Sequence, residues 1–180
     1  TGGSGYSGKN LYQYLSKKKI NIKSLFYKKK IKKKHHLKLN LLKKIKLDYS
    51  FNWIVHTASH HKIIDFKKNP KLKFNNNIQM INNLINFALE KKIKNFIFYS
   101  TYDLNYTKKN NKKLFYIDSK IKCENLLISA LKKGILKKLF ILRLPAIIGK
   151  NSNKNFLADT LKKMKNNQKI TIWNYNEKFN

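Results

Sequence analysis

Cysteine, proline, glycine, arginine and acidic residues are all scarce in this 180-residue sequence. The scarcity of cysteine bears on disulfides and zinc sites, and the scarcity of arginine bears on nucleic-acid binding. The single cysteine, Cys123, rules out an internal disulfide and a cysteine-based zinc cluster, so a reducing compartment, the cytoplasm, is expected. No apolar run reaches the roughly 18 residues that span a bilayer, so no membrane association is expected. The N-terminus has no basic-then-apolar export signal, although a fragment could have lost one.

Acidic residues are outnumbered by basic ones, 8 to 41, which gives a formal net charge of +33. An excess of this size is typical of nucleic-acid binding. However, Arg143 is the only arginine, and arginine is the residue that makes bidentate phosphate and base contacts. The lysines are spread along the chain, and the abundance of lysine, asparagine and isoleucine beside scarce glycine, proline and alanine indicates an AT-rich genome. We therefore interpret the lysines as solvated surface and expect no specific nucleic-acid binding.

The hydrophobic content of 42% suits one globular core, or one domain and part of another. Apolar periodicity predicts strands at 20–27, 37–41, 53–58, 95–100 and 138–144, and helices at 9–15, 77–92 and 116–133, with Gly134 as the last C-cap. Regular alternation of this kind predicts an α/β fold with a Rossmann-like, doubly wound parallel sheet and helices on both faces. Ligands of such sheets bind beyond the carboxyl ends of the strands.

Four of the six glycines lie in TGGSGYSG at positions 1–8, directly before an amphipathic run. Glycines at positions 2, 5 and 8 let the backbone turn sharply and approach an anion, and the helix that follows points its free N–H groups at the same place. We interpret this turn as a site for the pyrophosphate of a dinucleotide. The strand that would lead into the turn is not part of the sequence.

Tyr116 and Lys120 stand one helical turn apart on one face. A lysine there favours phenolate and would lower the tyrosine pKa, which would make Tyr116 an acid or base near neutral pH, and it can also donate to a nicotinamide ribose. The pair alone also fits an ordinary amphipathic helix. The order of features favours the catalytic interpretation: a glycine turn, then a strand ending in Ser100-Thr101, then this helix, with the Thr101 hydroxyl available to hold a substrate oxygen.

This order resembles the extended branch of the short-chain dehydrogenase/reductase superfamily, the NAD-dependent epimerase/dehydratase family of nucleotide-sugar enzymes. The segments that carry the resemblance are TGGSGYSG at 1–8, Asn40-Leu41, IVHTAS at 54–59, Asn77, FIFYST at 96–101, the Tyr116/Lys120 pair and LRLPAIIG at 142–149.

The resemblance implies a domain over 1–149 that lacks its first strand and binds NAD or NADP, followed at 150–180 by the truncated start of a substrate domain. Its substrate would be a nucleotide-linked sugar, used in surface polysaccharide synthesis, and a homodimer is one assembly left open. The implied catalytic residues are Thr101, Tyr116 and Lys120. The implied cofactor-binding residues are Gly2, Gly5, Tyr6, Ser7, Gly8, Asn40, Leu41, Thr57, Ala58, Ser59, Asn77, Ser100, Tyr116, Lys120 and Pro145.

Departures from the family pattern refine this expectation. Tyr102-Asp103 stands where 4,6-dehydratases have Asp-Glu, which disfavours dehydration, and Ala146 replaces an asparagine that often contacts the sugar nucleotide. After the second strand come lysines at 28–30 rather than an acid, and cations there favour the 2′-phosphate of NADP. The sequence does not separate a reductase from an epimerase.

Other interpretations remain open. A non-catalytic dinucleotide-binding protein, acting as a sensor or an RNA-binding platform, would share the fold, and a degraded gene fragment is a third alternative. The pairs His35-His36 and His60-His61 do not predict a metal site, because adjacent strand residues point to opposite faces. We instead expect His61 to line the pocket, and Trp53 and Trp173 to lie in the core.

Overall fold

The computed structural model describes residues 1–27, 36–61, 69–105, 111–149 and 156–170. The chain divides into two compact units, Thr1–Pro145 and Ala146–Asn180. The first contains α1 (Tyr6–Lys17), β1 (Ser24–Phe26), β2 (His36–Lys38), β3 (Trp53–His56), α2 (Pro70–Glu90), β4 (Asn95–Thr101), a 3-10 turn (Tyr102–Asn105), α3 (Asn111–Lys132) and β5 (Lys138–Leu144). The described part of the second contains α4 (Phe156–Lys165).

All strand pairs in the described residues are parallel, so the predicted α/β fold with parallel strands is confirmed. β1 pairs with β2, and β3, β4 and β5 form a second sheet in that order. The start of the chain lies between the two sheets: Thr1 N donates to Val55 O at 2.5 Å, and Gly3 N donates to Leu25 O at 2.9 Å. The glycine turn therefore emerges between β1 and β3, at their carboxyl ends.

The two long helices begin earlier than predicted. α2 starts at Pro70 rather than 77, because the Asn69 side chain accepts the N–H of Leu72 and proline occupies the first turn. α3 starts at Asn111 rather than 116. At its other end the Gly134 C-cap is confirmed: Gly134 has a φ of +69°, and the Ile135 N–H reaches back to the Ala130 carbonyl at 3.0 Å.

The main core lies between the β3–β4–β5 sheet and the packed pair α2 and α3. Phe96, Phe98, Ile81 and Leu127 are at most 1% exposed. On the other sheet face the Trp53 and Phe140 rings stack with centroids 6.0 Å apart and remain 41% and 50% exposed. The interpretation of Trp53 as a core residue is therefore wrong, because its strand position points away from α2 and α3; Trp173 lies outside the described residues.

Candidate functional site

The glycine-rich turn leaves the start of α1 without a side-chain cap. Gly2 has a left-handed φ of +78°, and its carbonyl accepts the N–H of Gly5 at 2.9 Å. Gly5 is the N-cap residue, which offers no side-chain acceptor, and the first turn contains no acidic residue. A Cβ built on Gly5 would meet only the Gly2 carbonyl oxygen, at 3.2 Å. The N–H groups of Tyr6 and Ser7 thus begin a helix whose N-terminus is suited to an anion.

Two other glycines are required by the close packing of the turn. A Cβ on Gly8 would overlap the Gly2 carbonyl, with its carbon only 2.7 Å away. A Cβ on Gly2 would lie 2.5 Å from Thr57 Oγ1, and this hydroxyl donates to the Thr1 carbonyl at 2.7 Å. Thr57 therefore holds the turn in place from the end of β3.

A cavity of about 370 Å³ opens beside the turn, within the range of small-molecule sites. Among the residues that sequence reasoning selected, it is lined by Gly2, Asn40, Leu41, Ala58 and Ser59. Its other lining residues include Tyr27 at the end of β1 and Lys73 and Asn76 on α2. We predicted that His61 lines the pocket. In the structure the neighbouring His60 lines this cavity, whereas His61 is exposed and does not line it.

Asn77 is buried, with 3% of its surface exposed, and holds the loop after β3 rather than facing the cavity. Its Oδ1 accepts the His60 N–H at 2.9 Å, and its Nδ2 donates to the His60 carbonyl at 3.1 Å and to Ser119 Oγ at 3.0 Å. Ser119 in turn donates to the Tyr116 carbonyl at 2.7 Å. Asn77 thus links the cavity wall to the helix that bears Tyr116 and Lys120.

The three predicted catalytic residues meet at the carboxyl end of β4. The Thr101 side chain ends β4, is 7% exposed and hydrogen-bonds Tyr116. Lys120 is 4% exposed, donates from Nζ to the Tyr99 carbonyl at 2.8 Å, and lies 4.6 Å from the Phe98 ring centroid and 5.9 Å from that of Tyr116. A phenol, a hydroxyl and an ammonium are therefore grouped at one strand end.

The pKa of Tyr116 is not depressed as expected. Burial raises the pKa of Tyr116 to about 12; the Thr101 hydrogen bond opposes this increase and the charge of Asp103 adds to it. The expectation fails because burial of the phenol outweighs the effect of a nearby cation, and the Lys120 ammonium donates to the Tyr99 carbonyl. Burial also lowers the pKa of Lys120 to about 8, with Cys123 and Glu124 acting in the opposite direction.

Sequence reasoning missed the ion pair beside this group. Ser100 was predicted as a cofactor contact, and its hydroxyl donates to Glu124 Oε1 at 2.5 Å. Arg143 donates to the same carboxylate from Nε at 3.2 Å and from Nη2 at 2.7 Å. Glu124 stands one helical turn beyond Lys120, so the spacing of an acid on the same helix face was an available signal.

The remaining predicted residues lie at the edges of this site or outside the described ranges. Pro145 follows β5 directly and is exposed. The lysines at 28–30, on which the NADP preference depends, and His35 lie outside the described residues. Among the residues that are described, no three or more histidine, cysteine or acidic side chains form a group that could hold a metal ion. Over the same ranges no helix has both the length and the apolarity to cross a membrane.

Solved structures of similar fold include UDP-glucose 4-epimerases from two thermophiles. The Thermotoga maritima enzyme, solved with UDP-glucose, is 16% identical with a TM-score of 0.77, over 97% of this chain and 64% of that one. The Thermus thermophilus enzyme, solved with NAD, is 17% identical with a TM-score of 0.71, over 89% of this chain and 58% of that one. Pseudomonas aeruginosa RMD, complexed with NADPH, is 18% identical with a TM-score of 0.66, over 94% and 63% of the two chains. At these identities the likeness establishes the fold, and this chain spans less than two thirds of each structure.

Sequence comparison identifies the family. No curated protein sequence matches the chain. The model of the NAD dependent epimerase/dehydratase family matches residues 1–178, nearly the whole chain. The match includes the glycine turn, the end of β4 and the Tyr116/Lys120 pair, which are also the segments that the structure brings to one edge of the sheet. The chain therefore belongs to the NAD-dependent epimerase/dehydratase family.

Proposed function

We propose that this chain binds a nicotinamide dinucleotide and carries the catalytic group of a nucleotide-sugar oxidoreductase or epimerase. The observation that supports this most directly is the meeting of Thr101, Tyr116 and Lys120 at the carboxyl end of β4. The glycine turn lies at the carboxyl end of β3, the neighbouring strand in the same parallel sheet. Ligands of such sheets bind along this edge, so one extended dinucleotide could contact both groups.

The chain's own residues fit the two halves of such a cofactor. The uncapped start of α1, at Gly5, Tyr6 and Ser7, suits the pyrophosphate. The cavity bounded by Asn40, Leu41, Ala58 and Ser59 suits the adenosine half. When bound, the nicotinamide would accept or supply a hydride. Lys73 lines the cavity, and together with the lysines at 28–30 it favours NADP over NAD.

The proposed chemistry of the site is proton exchange at a sugar oxygen. With a pKa of about 12, the Tyr116 phenol is protonated at neutral pH and can donate to a keto oxygen, while the Thr101 hydroxyl holds the same oxygen. In the reverse direction Tyr116 must accept a proton, and a cation brought close to the phenol oxygen lowers its pKa for that role. Lys120, close to the phenol ring and with a pKa of about 8, can supply this charge and can also donate to a ribose.

Finer features of the proposal rest on the resemblance. Asp103 lies in the 3-10 turn after β4, and its N–H donates to Thr101 Oγ1 at 3.2 Å. Because this turn lacks the Asp-Glu pair of 4,6-dehydratases, we place the protein with the reductases and epimerases. We propose that the product enters surface polysaccharide synthesis in the cytoplasm.

The proposal is tested by titrating the purified protein with NAD and NADP by calorimetry, then with a panel of UDP- and dTDP-sugars. Turnover is followed by absorbance at about 340 nm for net hydride transfer and by chromatography of the sugar nucleotide for epimerisation. Dinucleotide binding with turnover of at least one sugar nucleotide is expected. Binding without turnover would favour the non-catalytic alternative, and failure to bind either dinucleotide would contradict both.

A further inference from the structure

Three side chains on one face of α3 contact three consecutive residues at the end of β4. They are spaced four residues apart on the helix, so they lie along one stripe. The contacts are Tyr116 to the Thr101 side chain, Lys120 to the Tyr99 carbonyl, and Glu124 to the Ser100 hydroxyl. Two of these three contacts carry proposed catalytic side chains, and the third has so far no role in the proposed chemistry.

The third contact belongs to a group of three side chains, from Ser100, Glu124 and Arg143, that joins three elements. Glu124 is 3% exposed, and its carboxylate receives the Ser100 hydroxyl together with two N–H groups of Arg143. Ser100 and Arg143 are register partners on β4 and β5, so the carboxylate of α3 binds across both strands. A buried carboxylate is tolerated only when it is paired and hydrogen-bonded, and here each oxygen has a donor.

Arg143 is the one arginine among 41 basic residues. A guanidinium presents parallel N–H groups that match the two oxygens of a carboxylate, whereas a lysine ammonium is a compact point charge that cannot reproduce this geometry. In a chain where every other basic position is lysine, the arginine stands where two directed bonds to one carboxylate are made. The use of arginine at this position alone indicates that the pair requires two directed hydrogen bonds to Glu124 and not only a positive charge.

We propose that Ser100, Glu124 and Arg143 form a positioning clamp that fixes the end of β4 against α3 and so aligns Thr101 with Tyr116 and Lys120. None of the three is assigned contact with the reacting atoms. Without the clamp, β4 and α3 can slide relative to each other, and displacement of a reacting group by about 1 Å can lower a rate by ~10²-fold. The effect on turnover rests on the function proposed above; the alignment itself is a property of the fold.

The clamp also acts on the charge of Lys120. In the described residues Lys120 is faced by Tyr116, Cys123 and Glu124 on its own helix, by His56 on β3 and by Tyr99 on β4, and Glu124 is itself bound by Arg143 on β5. Burial lowers the pKa of Lys120 to about 8, and Glu124 opposes that change. Neutralising Glu124 should therefore lower the pKa of Lys120 further, which gives a readout that does not depend on turnover.

The test compares Arg143→Lys, Ser100→Ala and Glu124→Gln in the purified protein with the control Lys94→Met. Lys94 Nζ donates to the Gly134 and Ile135 carbonyls, both at 3.3 Å, so this control removes two hydrogen bonds at the opposite end of β4. The readouts are kcat and KM for a sugar nucleotide and the pKa of Lys120 from a ¹³Cε NMR titration, with the resonance assigned by its loss in Lys120→Met.

We expect Arg143→Lys to lower kcat by roughly 10- to 100-fold with little change in KM, because the charge remains and the alignment is lost. Ser100→Ala, which removes only a hydroxyl, should lower kcat in the same direction, and Glu124→Gln should lower the pKa of Lys120. Lys94→Met should change neither. Wild-type kcat in Arg143→Lys and Ser100→Ala, or an unchanged Lys120 pKa in folded Glu124→Gln, would overturn the clamp. If the wild-type protein turns over no sugar nucleotide, the proposed function fails, and the Lys120 titration alone then decides the clamp.

Discussion

Replacing Lys120 with methionine should stabilise the fold at neutral pH, although it removes a proposed catalytic residue. Lys120 is 4% exposed, and among the described residues its ammonium donates to one carbonyl, that of Tyr99, and lies 4.6 Å from the Phe98 ring centroid. These contacts do not replace the water that an ammonium loses on burial, so the pKa of Lys120 falls from 10.5 to about 8. The folded state therefore bears an energetic cost for holding this side chain charged.

The size and pH range of this cost follow from the two pKa values. Below about pH 8 the lysine is charged in both the folded and the unfolded chain, and the cost is present in full. Between about 8 and 10.5 the unfolded chain binds more protons, so the free energy of unfolding rises with pH. At ~1.4 kcal/mol per pKa unit the whole interval corresponds to about 3 kcal/mol. Lys120→Met should therefore be more stable relative to wild type at pH 7 than at pH 10.5, by about this amount.

The assay is urea unfolding of wild type and Lys120→Met at several pH values from about 7 to 10.5. Comparing the two proteins at each pH cancels the titration of the groups that do not interact with Lys120, which both proteins share. Lys122→Met, which removes a lysine at an exposed position on the same helix, is the matched control. A constant difference between wild type and Lys120→Met across this range would refute the reasoning, since it would mean that Lys120 is not held desolvated. Stabilisation together with weaker dinucleotide binding would mark Lys120 as retained for function rather than for stability.

Two further predictions concern the glycine turn and the lysines. Gly5→Val should abolish dinucleotide binding in calorimetry while lowering the free energy of unfolding by only about 1 kcal/mol, because its Cβ meets a single atom, the Gly2 carbonyl oxygen at 3.2 Å, and valine replaces a favourable N-cap residue. Gly8→Ala should instead lower the free energy of unfolding by roughly 1–3 kcal/mol, because its Cβ overlaps the Gly2 carbonyl; equal effects of the two changes on stability would contradict this division. The net charge of +33 should give only weak nucleic-acid association whose affinity falls steeply with salt in filter-binding assays, and sequence-selective binding that persists at raised salt would overturn the interpretation of the lysines as solvated surface.

The order of the elements could be predicted from the sequence, whereas the helix starts could not be predicted from periodicity alone. The strand at 138–144 is observed with both of its predicted ends, since its apolar residues are bounded by lysines and Gly134 before and Pro145 after. The start of α2 was not predicted because residues 70–76 are mostly polar, so the helical periodicity of apolar residues is not visible there. The Asn69-Pro70 pair was a usable signal, since asparagine caps helices and proline suits their first turn.

In the site, spacing predicted which residues meet but not how they are charged or paired. The four-residue interval and the strand end were enough to bring Tyr116, Lys120 and Thr101 together. The direction of the Tyr116 pKa depends on burial and on which acceptor the Lys120 ammonium reaches, and both are decided by tertiary packing. Glu124 could have been noticed as an acid one turn beyond Lys120; its pairing with Arg143 requires the register of β4 and β5.

The central claim, that Tyr116 exchanges a proton with a substrate oxygen beside a bound dinucleotide, is tested most directly by Tyr116→Phe. This change removes only the phenol oxygen and leaves the glycine turn, the cavity and Lys120 in place. Dinucleotide affinity measured by calorimetry should stay within about twofold of wild type, while turnover of the sugar nucleotide should fall by about 10²-fold or more, the scale for losing a positioned acid–base group. Turnover that remains at the wild-type rate in Tyr116→Phe would contradict the assignment of Tyr116 and with it the proposed chemistry of the site.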